Sequence, residues 1–301
     1  MATMSTHERT ALSTDDVQKP SRRMRAPDMW RASPLTSIAL IVAVILSIFP
    51  LYWTFVMASH TNSDVTSIPP PLTPGGNLQE NTKRLFDNPD VMFAKALVNS
   101  AIVSTAVTLA VVITSTLAGF AFAKLKFRGR GILLILVIGT IMVPVQLGLI
   151  PLYMLMGWIH LQGSLASVIL PFVASAFGVF MMRQYISQAV PDELIEAARV
   201  DGASTLRIYV NIVLPAARPA IAVLSLLVFM QTWNEFLWPY LALNPDNPTV
   251  QVALAHLSSG YYTDLSLVLA GTAVATIPLL VVFAIFGRHI IGGIMEGAVK
   301  T

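Results

Sequence analysis

The chain has 301 residues, of which 55% are hydrophobic and only 12% charged, with a net charge of +3 and a mean hydropathy of +0.69. A water-soluble domain carries about 25% charged residues, so this composition excludes one and implies an integral membrane protein. The absence of cysteine excludes disulfides, thiolate metal sites and cysteine nucleophiles.

A helix needs roughly 20 apolar residues to cross the hydrocarbon layer. Six runs qualify: 35–57, 97–123, 131–156, 164–183, 217–242 and 267–287. Backbone polar groups in lipid must be paired internally, so the fold class is all-α with six transmembrane helices. The first run follows a polar tail, 1–34, rich in Ser, Thr, Asp and Arg, which reads as disordered; no small-residue cleavage site follows it. Pro144 and Pro151 lie seven residues apart on one face of the third run, which predicts a bent helix. Sixteen of the nineteen Lys and Arg fall in the tail, the 124–130 connection, the 183–218 connection and the C-terminal end; only Lys83, Arg84 and Lys95 fall in the opposite set. Basic residues stay inside, so both termini are expected in the cytoplasm. Segments 58–96 and 243–266 then face outward, the membrane domain spans 35–290, and 291–301 forms a cytoplasmic tail.

The longest cytoplasmic connection, 188–216, holds EAARVDGAS at 196–204. Pro191 suits a helix start, and Asp192 and Glu193 complement the positive dipole end there. Gly202 fits a left-handed stop and Ser204 can cap a second helix with Leu206, Tyr209, Val210, Val213 and Leu214 as its apolar stripe. The result is a helix–turn–helix between spans 4 and 5. It reads either as an interfacial hairpin that merely links two spans or as a docking element, with Ala197 and Ala198 allowing close approach and Glu196, Arg199 and Asp201 pairing charges around the contact.

Glu196, Ala197, Ala198 and Gly202, followed by Ile212, Leu214 and Pro215, resemble the Glu-Ala-Ala signature of the membrane-spanning subunits of bacterial ABC importers. KFRGRG (126–131), NSAIVS (99–104), PLYML (151–155), TWNEFLWP (232–239) and GAVK (297–300) resemble the carbohydrate-uptake branch, in the style of the smaller six-span permease of maltose-type transporters. The resemblance implies a permease in the bacterial plasma (inner) membrane that pairs with a second homologous permease. Two ATPase subunits drive it and an extracytoplasmic binding protein delivers a sugar, expected to be a di- or oligosaccharide. It further implies that Glu196, Ala197, Ala198, Arg199, Asp201 and Gly202 couple to an ATPase, and that Gly297 and Lys300 form a second contact. No cofactor is expected in this chain, because ATP and Mg belong to the partner. The residues agree on one point: without a single Gly-Lys dipeptide the chain cannot form a phosphate-cradling P-loop. It is expected to be a transport subunit rather than an enzyme.

Polar groups inside spans are candidates for the translocation path. Glu235 lies about 24 Å along the fifth run at 1.5 Å per residue, with Gln231 and Asn234 just before it. One reading has them line a cavity in which Trp233 or Trp238 stacks on a sugar; the other makes this stretch an interfacial anchor. Gln146 beside Pro144 is a further path candidate, whereas Asn99, Ser100, Ser104, Thr105, Thr108, Thr114, Ser115 and Thr116 read mainly as helix-packing residues. The competing function is a secondary transporter working without an ATPase; such proteins usually show repeated halves, and no repeat is evident here.

Overall fold

The computed structural model describes residues 33–259 and 263–298, with side chains described to residue 287. All regular structure among the described residues is helical; two backbones pair only at one isolated bridge, Gly163 with Leu243. The chain divides at Pro50. In the first unit, the described part is the opening of helix α1 (Pro34–Ala58), where every side chain from 33 to 50 is exposed. A helix apolar all round suits hydrocarbon or another protein surface.

The second unit completes α1 and continues through α2 (Asn62–Val65) and α3 (Leu78–Phe86) to α4 (Phe93–Lys124). At 32 residues and 1.5 Å rise, α4 is about 48 Å long, more than a bilayer core requires. After a left-handed Gly129, α5 (Arg130–Thr140) leads into a short 3-10 turn and α6 (Leu149–Trp158). Then follow α7 (Leu165–Ile169), α8 (Ala176–Ala189), α9 (Asp192–Val200) and α10 (Thr205–Ile208). A π-helical turn (Tyr209–Val213) joins α10 to α11 (Leu214–Ala216), and α12 (Arg218–Trp233), α13 (Leu237–Ala242), α14 (Val250–Leu257) and α15 (Leu265–Ala298) complete the fold.

Among the described residues, three helical stretches are long and apolar enough to cross a membrane: Pro34–Ala58, Phe93–Lys124 and Leu265–Gly287. Three bent pairs raise the total to as many as six. Arg130–Thr140 meets Val145–Trp158 at 89°, so the third run is sharply broken, with Pro144 at the break. The fourth run also divides, at 42° near Val173, where Pro171 removes a backbone donor. The fifth run is not one helix to 242: α12 stops at Trp233 and turns before α13, and the 76° bend lies further upstream, between 205–216 and Arg218–Trp233. The last helix runs past the expected end at 287 to Ala298 without a break.

The core is organised around α4, whose small and hydroxyl side chains let neighbours approach closely. One cluster joins Val103, Val107, Val111 and Phe120 of α4 to Met182 and Ile186 of α8, Ile195 of α9, and Leu224 of α12. A second, at the other end, joins Phe93 and Ala96 to Leu85, Trp233, Val250, Leu267 and Ala275. By contrast α5 and α6 expose most of their apolar side chains, Ile135 at 72% and Ile150 at 76%.

Candidate functional site

The segment 188–216 folds as two short helices around a tight turn, and each part has a local cause. Val190 and Pro191 are extended, and α9 starts at Asp192 with two carboxylates in its first turn. It ends in a Schellman turn: the Ala203 N–H donates to the Ala198 carbonyl (2.9 Å) and the Gly202 N–H to that of Arg199 (3.0 Å). Gly202 sits at φ +77°, the left-handed region that side chains resist. Ser204 Oγ then accepts the Arg207 N–H at 3.3 Å and caps α10.

Ile195 alone of α9 is fully buried, so it is the anchor. Glu196, Ala197, Arg199, Asp201 and Gly202 are exposed, and Ala198 is half-buried. Apolar side chains share that exposed surface: Leu194 (47%), Val200 (89%) and Leu206 (67%). The expected apolar stripe of the second helix holds at Tyr209 and Val213 and is corrected at Leu206 and Val210. Leu206 and Val210 face outward, while Ile208, Tyr209 and Val213 face the core. α10 is a single turn and its continuation bonds i to i+5, which turns Val210 away from its α-helical bearing. No periodicity in the sequence marked that π turn.

Lys124, the last residue of α4, holds the hairpin at its start. Its Nζ lies 2.6 Å from Asp192 Oδ1, and the hydrogen bond and positive charge keep that carboxyl below its usual range. Arg130 donates to the carbonyls of Leu125 (3.2 Å) and Ala123 (3.4 Å), satisfying orphan acceptors at the end of α4.

The polar path candidates divide. Gln231, Asn234 and Glu235 come together at the end of α12, with Gln231 and Asn234 exposed and Glu235 half-buried. Gln251 of α14, which the sequence reading missed, joins them: its Nε2 donates to Asn234 Oδ1 (3.3 Å) and to the Trp233 carbonyl (3.4 Å). Glu235 Oε1 accepts the Trp238 N–H at 3.2 Å and so terminates the turn. Gln146 is exposed in the 3-10 turn of the third run, with no described contact to this group. Neither tryptophan is free to stack on a sugar. Trp233 is 2% exposed, stacks on Phe229 and donates to the Ala275 carbonyl (3.2 Å); Trp238 is 1% exposed and donates to that of Ser167 (3.0 Å). A buried indole finds an acceptor, and these two have found theirs in the helix core. Gly297 lies in the last turn of α15, and Lys300 lies outside the described residues.

Residues 110–294 match the family model described as binding-protein-dependent transport system inner membrane component. The chain is 37% identical over 281 residues to the lactose transport system permease protein LacG of Rhizobium radiobacter, covering 92% of this chain and 98% of the relative. It is 33% identical to the sn-glycerol-3-phosphate transport system permease protein UgpE of Yersinia pestis, covering 86% and 94%. It is 30% identical to the arabinooligosaccharides transport system permease protein AraQ of Bacillus subtilis, covering 90% and 100%. Its fold matches a chain of a bacterial ABC transporter involved in the import of alginate, with a TM-score of 0.72 at 21% identity over 84% of this chain and 94% of that one. Matched along most of its length by family and relatives alike, the chain belongs to the inner membrane components of binding-protein-dependent transport systems, and it is a permease subunit of an ABC importer.

Proposed function

We propose that this permease, paired with a second homologous permease, forms half of an alternating-access path for a di- or oligosaccharide, and that α9 and α10 dock on one of two partner ATPase subunits. The observation that carries the docking reading is the α9 surface: Glu196, Ala197 and Arg199 exposed beside the uncovered apolar Leu194 and Val200, on a helix fixed at both ends. Relatives named for lactose and arabinooligosaccharides support the sugar class. UgpE, named for glycerol 3-phosphate, marks the boundary of the substrate range to be tested.

The orientation proposed is six spans with the hairpin end in the cytoplasm. Lys124 bonds Asp192, so the basic 124–130 connection and the hairpin share one end of the molecule. Lys95, bonded to the Asp246 carbonyl (2.6 Å), and Arg84, paired with Asp264 (2.6 Å), lie at the other. That segregation supports a cytoplasmic hairpin and an outward cap built from α3 and α14. In this reading residues 1–34 and 291–301 are cytoplasmic, Gly297 and Lys300 reach the ATPase pair, and ATP and Mg are bound only by that pair. An extracytoplasmic sugar-binding protein would load the cap side.

Proteoliposomes holding both permeases, the ATPase pair and the loaded binding protein are expected to accumulate labelled disaccharide only with ATP. Accumulation that persists when the ATPase subunits are omitted would make the chain a secondary transporter and overturn the proposal.

For the path, Glu235 is proposed to line the polar turn with Gln231 and Asn234, and Gln146 to serve from the bend of the third run. Glu235→Ala is expected to lower uptake about tenfold at unchanged membrane level, equivalent to about 1.4 kcal/mol. Uptake within twofold of wild type, about 0.4 kcal/mol or less, would reduce Glu235 to the cap of α13.

A further inference from the structure

The hairpin is tied to α4 at two points as well as packed against it, and both ties fall on one stripe of that helix. Thr116, Phe120 and Lys124 are spaced i, i+4, i+8 and so share a face. At the stripe's end the Lys124 side chain is only 5% exposed, whereas its partner Asp192 is 76% exposed. The same Nζ lies 3.5 Å from the Ser187 carbonyl, one of the unpaired acceptors at the end of α8. Two turns back, Thr116 Oγ1 and the Tyr209 hydroxyl hydrogen-bond at 2.7 Å in a buried setting. Phe120 lies between the ties, its ring centroid 5.7 Å from that of Tyr209. Tyr209 opens the π-helical turn, a feature that α-helices rarely carry and that recurs at functional sites.

Surface ion pairs are usually worth little, because both side chains must be ordered in water. This pair differs on one side. The Lys124 side chain is nearly covered by protein, so removing Asp192 leaves its ammonium with the 3.5 Å contact to the Ser187 carbonyl and no matching negative charge in contact. The cation thus selects where the first turn of α9 can sit, and Tyr209 selects where the turn after α10 can sit.

We propose that Lys124 and Asp192 are positioning residues which, together with Tyr209 on Thr116 and Phe120, join the docking hairpin and α4 into one rigid body, so that movement of the hairpin by its ATPase passes directly into α4. The inference rests on the docking reading above and names the route by which that docking acts. The far end of α4 has matching ties. Asn99 Nδ2 donates to Asn247 Oδ1 (3.0 Å) and to the Pro248 carbonyl (2.8 Å), and Ser100 Oγ accepts the Val250 N–H (2.8 Å). From Asn99 to Lys124 is about 37 Å of continuous helix, so one rod holds the hairpin at one end and the loop before α14 at the other.

The test is a charge exchange in the complete reconstituted importer. Lys124→Glu and Asp192→Lys are each expected to lower ATP-driven uptake about tenfold with the ATPase pair still bound, and the double exchange to recover at least about half of wild-type uptake. Single variants that transport at wild-type rates would overturn the clamp. So would a double exchange that assembles but stays as inactive as the singles. Should the reversals fail to assemble, Lys124→Cys with Asp192→Cys, joined by a short bismaleimide, replaces the ion pair covalently. Turnover is expected to survive that link, because its two ends move as one body; turnover lost on linking refutes the proposal. Glu196→Lys separates the two levels. Normal uptake in Glu196→Lys defeats the docking reading itself, whereas an inactive Glu196→Lys beside silent charge reversals defeats only the clamp.

Discussion

Gly202→Pro is expected to reduce ATP-driven uptake on the order of a hundredfold while the chain remains inserted at wild-type level. Residue 202 sits at φ +77° and its N–H is spent on the Arg199 carbonyl. Proline fixes φ near −65° and has no N–H, so it fails both requirements, at a cost of about 3 kcal/mol or more. The turn cannot be kept at that cost. Ser204 then leaves the position from which it caps α10, and α9 and α10 lose their fixed relation. Insertion is spared because the apolar spans lie outside the turn. Two milder substitutions grade the effect. A Cβ at 202 would meet nothing within 4 Å, so Gly202→Ala suffers only the left-handed penalty of about 1–2 kcal/mol, and Gly202→Asn less, since asparagine tolerates that region. The expected order of uptake is therefore Gly, Asn, Ala, Pro. Binding of the ATPase pair should follow the same order in a pull-down from detergent. Full uptake by the proline variant would remove the hairpin from the mechanism.

The hairpin was legible because its signals are local. Pro191, Gly202 and Ser204 each act within a turn of their own position; the structure uses Gly202 and Ser204 where the sequence places them, and Pro191 one residue ahead of the first turn rather than in it. The apolar runs were legible for a similar reason, since length and composition alone mark a segment that can lie in hydrocarbon. What escaped depends on partners distant in sequence. Trp233 and Trp238 allow a ligand reading beside the anchor one because an indole in a polar stretch looks available; the acceptors that they meet in the core, on Ala275 and Ser167, are 42 and 71 residues away. Gln251 lies in VQVALAHL with nothing to distinguish it, yet it completes the polar turn of α12. In the sequence Lys124 groups with Lys126, Arg128 and Arg130 as a marker of orientation, yet its ammonium hydrogen-bonds a hairpin carboxylate. The third run shows the intermediate case. Proline announces that the helix will bend, but the angle of 89° is not written in it.

The second large effect is expected at Gly119, and it tests stability rather than coupling. Residues of α4 and α8 pack closely because both helices present small residues at the crossing. Gly178 faces Ser115 there, and Gly119 faces the backbone of α8. A Cβ on Gly119 would stand 2.8 Å from Met182 Cβ and 2.9 Å from the Arg183 nitrogen. Neither atom is the flexible end of a side chain, so the helices must separate. Met182 is wholly buried and belongs to the cluster that also contains Phe120, Ile186 and Ile195. Separation here would open that cluster and withdraw the floor on which α9 rests. Overpacking of a core typically costs about 1–3 kcal/mol, and a backbone clash falls at the upper end. Gly119→Leu is accordingly expected to lower the melting temperature of the detergent-solubilised complex by several degrees and to reduce its accumulation in the membrane several-fold. Gly119→Ala should show the same loss in smaller measure. A control at Gly139, where an added Cβ meets nothing within 4 Å, isolates the cause, because Gly139→Leu adds the same bulk to an open face. Equal melting of Gly119→Leu and wild type would mean that α4 and α8 are not held at this distance. The hairpin would then lack the firm support from which its movement could be transmitted.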